Sequence, residues 1–385
     1  MAKHGKKKTG RKVRVDFRAN RNQPGQTIDA DRNESVRSKG AASRKRTIIV
    51  GDDDAPLVDE ALWTSGVVLA VHGLVCRVHA GDVVWDCTIR RKLRTVSIDE
   101  RSPVIVGDRV WFSKLADAPP GQSAGVIERV DERRSRLSRR DFRGREHVMV
   151  ANADQLLIVT AVAEPKPKPH LIDRYLIAAH KGELRPIICF SKCDLVAGEV
   201  DYDDDDYDGP LLTIAELVEE YRGIGYTCIF ASARSGLGLG ALRDEMRGHI
   251  TALSGQSGVG KSSLINALEP GASLRVAEVS DANQKGRHCT TNAQLLPLHF
   301  GGFVVDTPGI RQFDLWRLEL GELELHFTEF APLVVQCRFS DCLHVNQEGC
   351  AILAAVADGR ISPRRHRSYV KMLTELNERA TEWGK

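Results

Sequence analysis

The chain has no apolar run of bilayer length. Its longest, "LLIVTAVA" at 156–163, is the size of a buried strand. Residues 1–46 contain no apolar core of the kind an export signal needs, so a cytoplasmic protein that does not enter membranes is expected. Nine cysteines, an odd number without secretory context, argue against a disulfide framework, and no C-x-x-C pair suggests redox chemistry. The 385 residues are 42% hydrophobic and 28% charged, the balance of a soluble globular chain with room for two or three cores.

Charge is nearly balanced overall, at +3, but unevenly placed. Residues 1–48 hold 15 Lys/Arg against 4 Asp/Glu, leaving the remainder at −8. With few large apolar residues and no sustained periodicity, this arm reads as disordered. Its charge suits nucleic-acid phosphates, and it suits a solubilising extension equally well. From residue 60 to 130, β-rich runs such as "SGVVLAVHGLVCRVHAGDVVWDCTIRRKL" and "VIVGDRVWFSKL" predict about five short strands closing a small barrel. The basic stretch "ERRSRLSRRDFRGREH" then reads as a solvated linker. Beyond it, buried-type strands ("QLLIVTAVA", "RPIICFSK", "YTCIFASA", "HITALSG", "GGFVVDTPG") alternate with helical stretches, which predicts a parallel sheet covered by helices. "DYDDDDYDGP" at 201–210 reads as an acidic surface insertion, with a metal site the weaker alternative.

The strongest motif is "GQSGVGKSS", which fits G-x-x-x-x-G-K-[ST] between a strand and a helix. Gly255, Gln256, Ser257, Gly258, Val259 and Gly260 form a loop whose backbone N–H groups can wrap phosphates. Lys261 is placed for the β- and γ-phosphates, and Ser262, followed by Ser263, for Mg²⁺. "VVDTPG" supplies Asp306 at a strand end for the Mg²⁺ shell and the Gly309 N–H for the γ-phosphate.

Two tetrapeptide-sized signals concern the base. In "SKCD" (Ser191, Lys192, Cys193, Asp194) the Asp194 carboxylate can accept from guanine N1–H and the 2-amino group, a donor pair adenine lacks. In "ASA" the segment Ser232–Ala233 can offer the Ala233 N–H to guanine O6. Either alone is an ordinary strand-end loop. Together with the phosphate loop they read as a guanine site.

The order is unusual, because the base motifs precede the phosphate loop and Thr290, Thr291 and D-x-x-G follow it. The ring order matches an ordinary GTPase cut elsewhere, which adjacent termini permit, so a circularly permuted GTPase domain is expected. Asp194 and the lack of a phosphoacceptor site disfavour an ATP-dependent kinase.

Near the C-terminus "CRFSDCLHVNQEGC" places Cys337, Cys342, His344 and Cys350 within fourteen residues. Three thiolates and one imidazole suit a closed tetrahedral Zn²⁺ site of structural type; buried free cysteines beside a surface histidine are the alternative. "SPRRHRSYVKMLTELNERATEW" reads as a basic-to-amphipathic helix.

Permutation, a preceding barrel and this Cys/His spacing together resemble the bacterial ribosome small-subunit-dependent GTPases, the RsgA/YjeQ family, over about residues 63–375. The resemblance implies an OB-fold at 60–130, a permuted GTPase at 131–325 and a helical zinc-binding domain at 326–385. It also implies a monomer that binds ribosomal RNA and hydrolyses GTP to GDP when stimulated by the small subunit, late in that subunit's assembly. The switch segment "KGRHCTTN" carries Thr290 and Thr291 as Mg²⁺-side residues, and His288 where the family places its water-orienting histidine. Without the motif, His288 would read as a loop residue. Two departures from the family stand out: Ser191 replaces the usual Asn that braces the phosphate loop, and Cys289 stands where a Thr is common. Ile310 follows D-T-P-G where Ras-like enzymes carry their Gln. Ser191 and the missing Gln favour the rival expectation, an RNA-binding scaffold whose nucleotide site is structural and turns over negligibly.

Overall fold

The computed structural model describes residues 62–90, 93, 103–115, 123–140, 146–195, 213–270, 293–306 and 321–383, and four short strands before residue 51. Contacts divide the chain into two compact units, Met1–Arg133 and Arg134–Lys385.

In the first unit, the arm expected to lack regular structure carries two antiparallel ladders. β1 (Arg11–Asp16) pairs with β4 (Lys45–Val50), and β2 (Gln26–Ile28) with β3 (Ser35–Arg37). The local alternation of Val13 and Val15 in "RKVRVD", obscured by the surrounding charge, is the signal for the longer ladder. The barrel follows: β5 (Trp63–His72), β6 (Val75–Ala80), β7 (Val83–Ile89), β8 (Arg109–Lys114) and β9 (Ala124–Val130). They close in the order β5-β6-β7-β9-β8, with β7 and β9 parallel and the other pairs antiparallel. That is the five-stranded Greek-key closure of an OB-fold. Its interior is filled by Val68, Cys76, Val78, Cys87, Val110, Phe112 and Ile127. Below the barrel, Arg133 reaches the fully buried Asp108 through Nε to Oδ1 at 2.8 Å and a terminal nitrogen to Oδ2 at 3.0 Å. This two-pronged pairing satisfies the charge that burial would otherwise penalise.

The second unit opens with a hairpin, β10 (Arg136–Arg140) and β11 (Glu146–Ala151), where a solvated linker was expected. Leu137 and Val150 are buried, so alternation turns the stretch into structure despite its charge. The central sheet then comprises β12 (Gln155–Ala161), β13 (Arg185–Ser191), β14 (Thr227–Phe230), β15 (Ile250–Ser254), β16 (Gln294–Pro297) and β17 (Phe303–Asp306). Their spatial order is β14-β13-β12-β15-β17-β16, parallel except for β16. Every residue of β12 is buried, as a central strand covered on both faces requires. Covering helices include α1 (Pro169–Lys181), α2 (Ile214–Gly223), α3 (Leu239–Met246) and α4 (Lys261–Leu268). Proline opens α1, and a Thr213–Glu216 capping box opens α2, satisfying N–H groups that a helix start leaves orphaned.

The C-terminal segment adds α5 (Ala331–Val334), α6 (Ala351–Ala357) and α7 (Pro363–Trp383). Packing draws no line at residue 325. Ile177 of α1 belongs to the same core as Phe327, Phe330, Ile352, Tyr369 and Met372. No helix among the described residues is long and apolar enough to cross a membrane.

Polar contacts reinforce this junction between α1 and α7. His170 Nδ1 lies 2.9 Å from the Ser368 hydroxyl, and Arg174 pairs with Glu375. His170, whose Nε2 lies 3.8 Å from Glu375 Oε1, lowers the Glu375 carboxyl from 4.5 to about 2, with help from Arg174 and against the effect of partial burial. A lowered carboxylate pKa stabilises the fold above its unfolded value and ceases to do so as the folded value is passed. The thermal midpoint should therefore fall as pH drops from 4.5 to about 2, and Glu375→Gln should flatten that part of the profile. Midpoints measured against pH for both proteins check this; parallel profiles would contradict it.

Candidate nucleotide and metal sites

Parallel strands end on one edge of a sheet, and crevices outside those ends are where α/β folds bind ligands. Here β12 and β13 are adjacent, and β15 flanks β12 on its other side. The loops after β13 and β15 are therefore neighbours, although their sequences lie about seventy residues apart.

The phosphate loop follows β15. Gly255 has φ +135°, and a Cβ there would stand 2.0 Å from the Val159 carbonyl oxygen, so only glycine fits. Gly258 and Gly260 also have positive φ, at +80° and +92°. These turns bring the chain to the start of α4, whose first N–H groups have no intrahelical acceptors. Lys261 Nζ donates to the carbonyl oxygens of Gly255 and Gln256, at 2.7 and 2.6 Å, so it folds back over the loop that phosphates would occupy. Ser262 is half-buried at the same helix start, and Ser263 is exposed.

Ser191 ends β13 fully enclosed. Its hydroxyl lies 2.5 Å from the Val259 carbonyl oxygen and 3.1 Å from that of Thr160. A single hydroxyl proton serves one acceptor at a time, and the shorter contact is the one to the phosphate loop. Ser191 thus makes the brace expected of the usual Asn. Lys192 takes φ +57° and sends Nζ to the Glu164 carbonyl oxygen. Its stem passes 4.0 Å from where a Cβ on Gly260 would lie, crossing the phosphate loop.

Asp194 accepts a 2.6 Å hydrogen bond at Oδ1 from the Ser232 hydroxyl, which also receives the Ser235 N–H at 3.1 Å. The Ser232 bond, with Arg234 and Lys192 nearby, lowers the Asp194 pKa and keeps it an acceptor. Ser191, Lys192, Asp194, Leu195, Ala233, Arg234, Gly260, Ser263 and Leu264 line one cleft of about 250 Å³. Ser232 and Cys193 stand behind that wall. The Cys193 thiol donates to the Phe190 carbonyl at 3.0 Å, and burial pushes it up. Sequence reasoning missed Leu195, Arg234 and Leu264. Each adjoins a motif residue, but no spacing rule marks it.

His288, Thr290, Thr291 and Gly309 lie outside the described residues. Asp306 is the last residue of β17, at the same sheet edge, and its side chain also lies outside them.

The four metal-ligand candidates are brought together: one donor atom from each of Cys337, Cys342, His344 and Cys350 lies within 4.8 Å of the others. His344 Nδ1 is 3.6 Å from Cys337 Sγ and 3.4 Å from Cys350 Sγ. Edges of a tetrahedral thiolate–imidazole site are roughly 3.3–3.8 Å, so the donor set fits a metal ion. Two helix N–H groups face the sulfurs, Ala351 to Cys337 at 3.4 Å and Leu353 to Cys350 at 3.5 Å. Burial, with Cys350 and Cys337 alongside, pushes the Cys342 thiol up to about 11. A bound divalent cation reverses that preference. Glu324 accepts at 2.7 Å from the far ring nitrogen, Nε2, of the buried His344. This outer carboxylate orients a ligating imidazole, and twenty residues of sequence separation hid it.

Residues 130–316 match the RsgA GTPase family model. A Gemmatimonas aurantiaca protein named small ribosomal subunit biogenesis GTPase RsgA is 45% identical over 277 residues, 71% of this chain and 85% of its own length. A protein of the same name from Thermotoga maritima is 39% identical over 81% of this chain and 96% of its own. The crystal structure of YjeQ from Thermotoga maritima superposes with a TM-score of 0.65 at 36% identity, covering 82% of this chain and 99% of that one. YloQ, described as a circularly permuted GTPase, gives 0.63 at 27% identity, covering 84% and 99%. The permuted motif order agrees with the description of YloQ, and the chain belongs to the RsgA GTPase family.

Proposed function

We propose that this chain is a GTP hydrolase that acts in biogenesis of the small ribosomal subunit, in the cytoplasm, binding that subunit through its ribosomal RNA. The observation that carries the nucleotide reading is the convergence of the Ser191, Asp194–Ser232 and phosphate-loop segments on one cleft. The subunit as partner is supported by the names of the relatives.

In this reading Asp194 accepts from guanine N1–H and the 2-amino group, and the Ala233 N–H donates to O6. Lys261 leaves the Gly255 and Gln256 carbonyls for the β- and γ-phosphates, stabilising charge on the leaving diphosphate. Ser262, with Thr290 and Thr291 and with Asp306 nearby, would hold Mg²⁺, which would supply charge neutralisation at the phosphates. His288 orients the water whose oxygen attacks the γ-phosphorus as the bridging bond to GDP breaks. Gly309 N–H bonds the γ-phosphate. Because Ser191 supplies the loop brace, its replacement of Asn is no ground for assuming negligible turnover. The ion in the Cys/His cluster is zinc and structural. The arm, the barrel and the cluster-bearing segment, at 1–48, 60–130 and 326–385, provide the RNA-facing surfaces.

Single-turnover GTP hydrolysis with small subunits, with large subunits and without ribosomal particles tests the proposal. Stimulation by small subunits alone is expected; equal rates in all three would refute it.

Ser191→Ala should weaken GDP binding roughly tenfold, because the Val259 carbonyl of the phosphate loop loses its donor at about 1–3 kcal/mol. Fluorescent-GDP titration measures this, and wild-type affinity would show the brace to be unnecessary. Asp194→Asn should shift preference from GTP towards xanthosine triphosphate, since the amide donates where the carboxylate accepted. Competition binding with both nucleotides decides it.

Metal analysis should find one equivalent of zinc, and Cys342→Ser should lose it together with a large part of the thermal stability of the second unit. Zinc-free protein of unchanged melting temperature would contradict a structural ion. His288→Ala should slow subunit-stimulated hydrolysis by about 10²-fold with little change in GDP affinity. Normal turnover would assign the water-orienting role elsewhere.

A further inference from the structure

Helix α1 stands between two parts of the second unit. At about 100° per residue, Leu171 and Tyr175 share one face, while Asp173 and Ile177 occupy the opposite one. Leu171 and Tyr175, with Pro165, line a cleft of about 370 Å³ whose other wall is Gln256 and Ser257 of the phosphate loop. The Tyr175 ring is buried, and its phenol lies against Ser254 at the foot of that loop.

Asp173, on the other face, is fully buried. Its Oδ2 accepts from Arg364 at 2.9 Å, and its Oδ1 from Arg365 at 2.6 Å and from the Tyr221 hydroxyl at 2.8 Å. Arg364 also forks onto Glu220 at 3.0 Å through two nitrogens, and Arg365 onto Glu329 at 2.6 and 3.0 Å. The next residue, His366, binds the carbonyl of the candidate metal ligand His344 at 2.7 Å. Burial alone would raise the Asp173 carboxyl, but the two guanidinium groups hold it well below the usual carboxylate range. Buried charges are an inefficient source of stability, whereas forked pairs admit one approach and so fix register.

We propose that Asp173 is a positioning residue for GTP turnover: its clamp by Arg364 and Arg365 sets where α1 stands against the phosphate loop, and so ties the C-terminal segment to the nucleotide site. The proposal deepens the nucleotide reading above and depends on it. The link runs through one helix, from His344 and His366 to the Arg364–Asp173 clamp, and from there across α1 to Tyr175 and the loop. Rearrangement of the C-terminal segment on a docking partner would reach the phosphates by this route.

The test is the rate of fluorescent-GDP release well below the melting temperature, in the full chain. Asp173→Asn keeps shape but loses the charge that orients both arginines. It should speed release roughly tenfold, the scale of a modest coupling, with GTP still preferred over ATP. Glu329→Gln is the control, since it deprives Arg365 of a carboxylate while leaving the bonds of both arginines to Asp173 in place. It should lower the melting temperature while leaving release unchanged within about twofold. Arg364→Lys, which keeps the charge but not the fork, should behave as Asp173→Asn does and decides the question if that variant does not fold. Unchanged release in the folded clamp variants, or equal acceleration by Glu329→Gln, overturns the proposal. Failure of the unaltered protein to bind GDP removes the nucleotide reading itself, and the proposal with it.

Discussion

The bond between the Ser191 hydroxyl and the Val259 carbonyl joins two segments 68 residues apart in sequence, and the cleft depends on it. It exists because β13, β12 and β15 are consecutive in the sheet, so their following loops leave the same edge side by side. Cutting the chain at a different point of the ring changes none of these adjacencies. A permuted order therefore costs the site nothing, provided the strands keep their neighbours.

Much of the site was legible because its chemistry has fixed spacing. Gly255, Gly260 and Lys261 are dictated by a loop that must wrap phosphates, and Asp194 by the edge of guanine. The Cys337–Cys350 cluster is compact enough in sequence to imply a shared centre. The strand runs were legible too, because β12 is apolar from Leu156 to Val159 and β7 alternates from Trp85 to Ile89. What escaped notice is carried by long-range contacts without local pattern. Glu324 behind His344, Ser232 as the brace for Asp194 rather than a wall of the cleft, and the Asp173 clamp depend on which elements fold together. The β10–β11 hairpin was obscured by its arginines, whose charge outweighed the alternation of Leu137 and its neighbours.

The same long-range contacts alter how the C-terminal segment is understood. The family resemblance implies a separate zinc-binding domain at 326–385. In the structure that segment shares a core with α1 and is pinned to it by paired charges. The Cys/His cluster organises the segment locally through His344, Glu324 and two helix N–H groups. The arginines at the start of α7 then carry that order to the sheet. The candidate metal cluster and the candidate nucleotide cleft thus belong to one packed unit.

The central claim is that strand-end loops in permuted order form one guanine-specific site. Calorimetric titration of the intact protein with GDP and with ADP tests it most directly. The account predicts one GDP site per chain and affinity for ADP lower by about 10²-fold or more, because Asp194 meets the wrong edge of adenine. Equal affinity for the two, or GDP binding that is unaffected when Asp194 and Lys261 are both replaced by alanine, would contradict it.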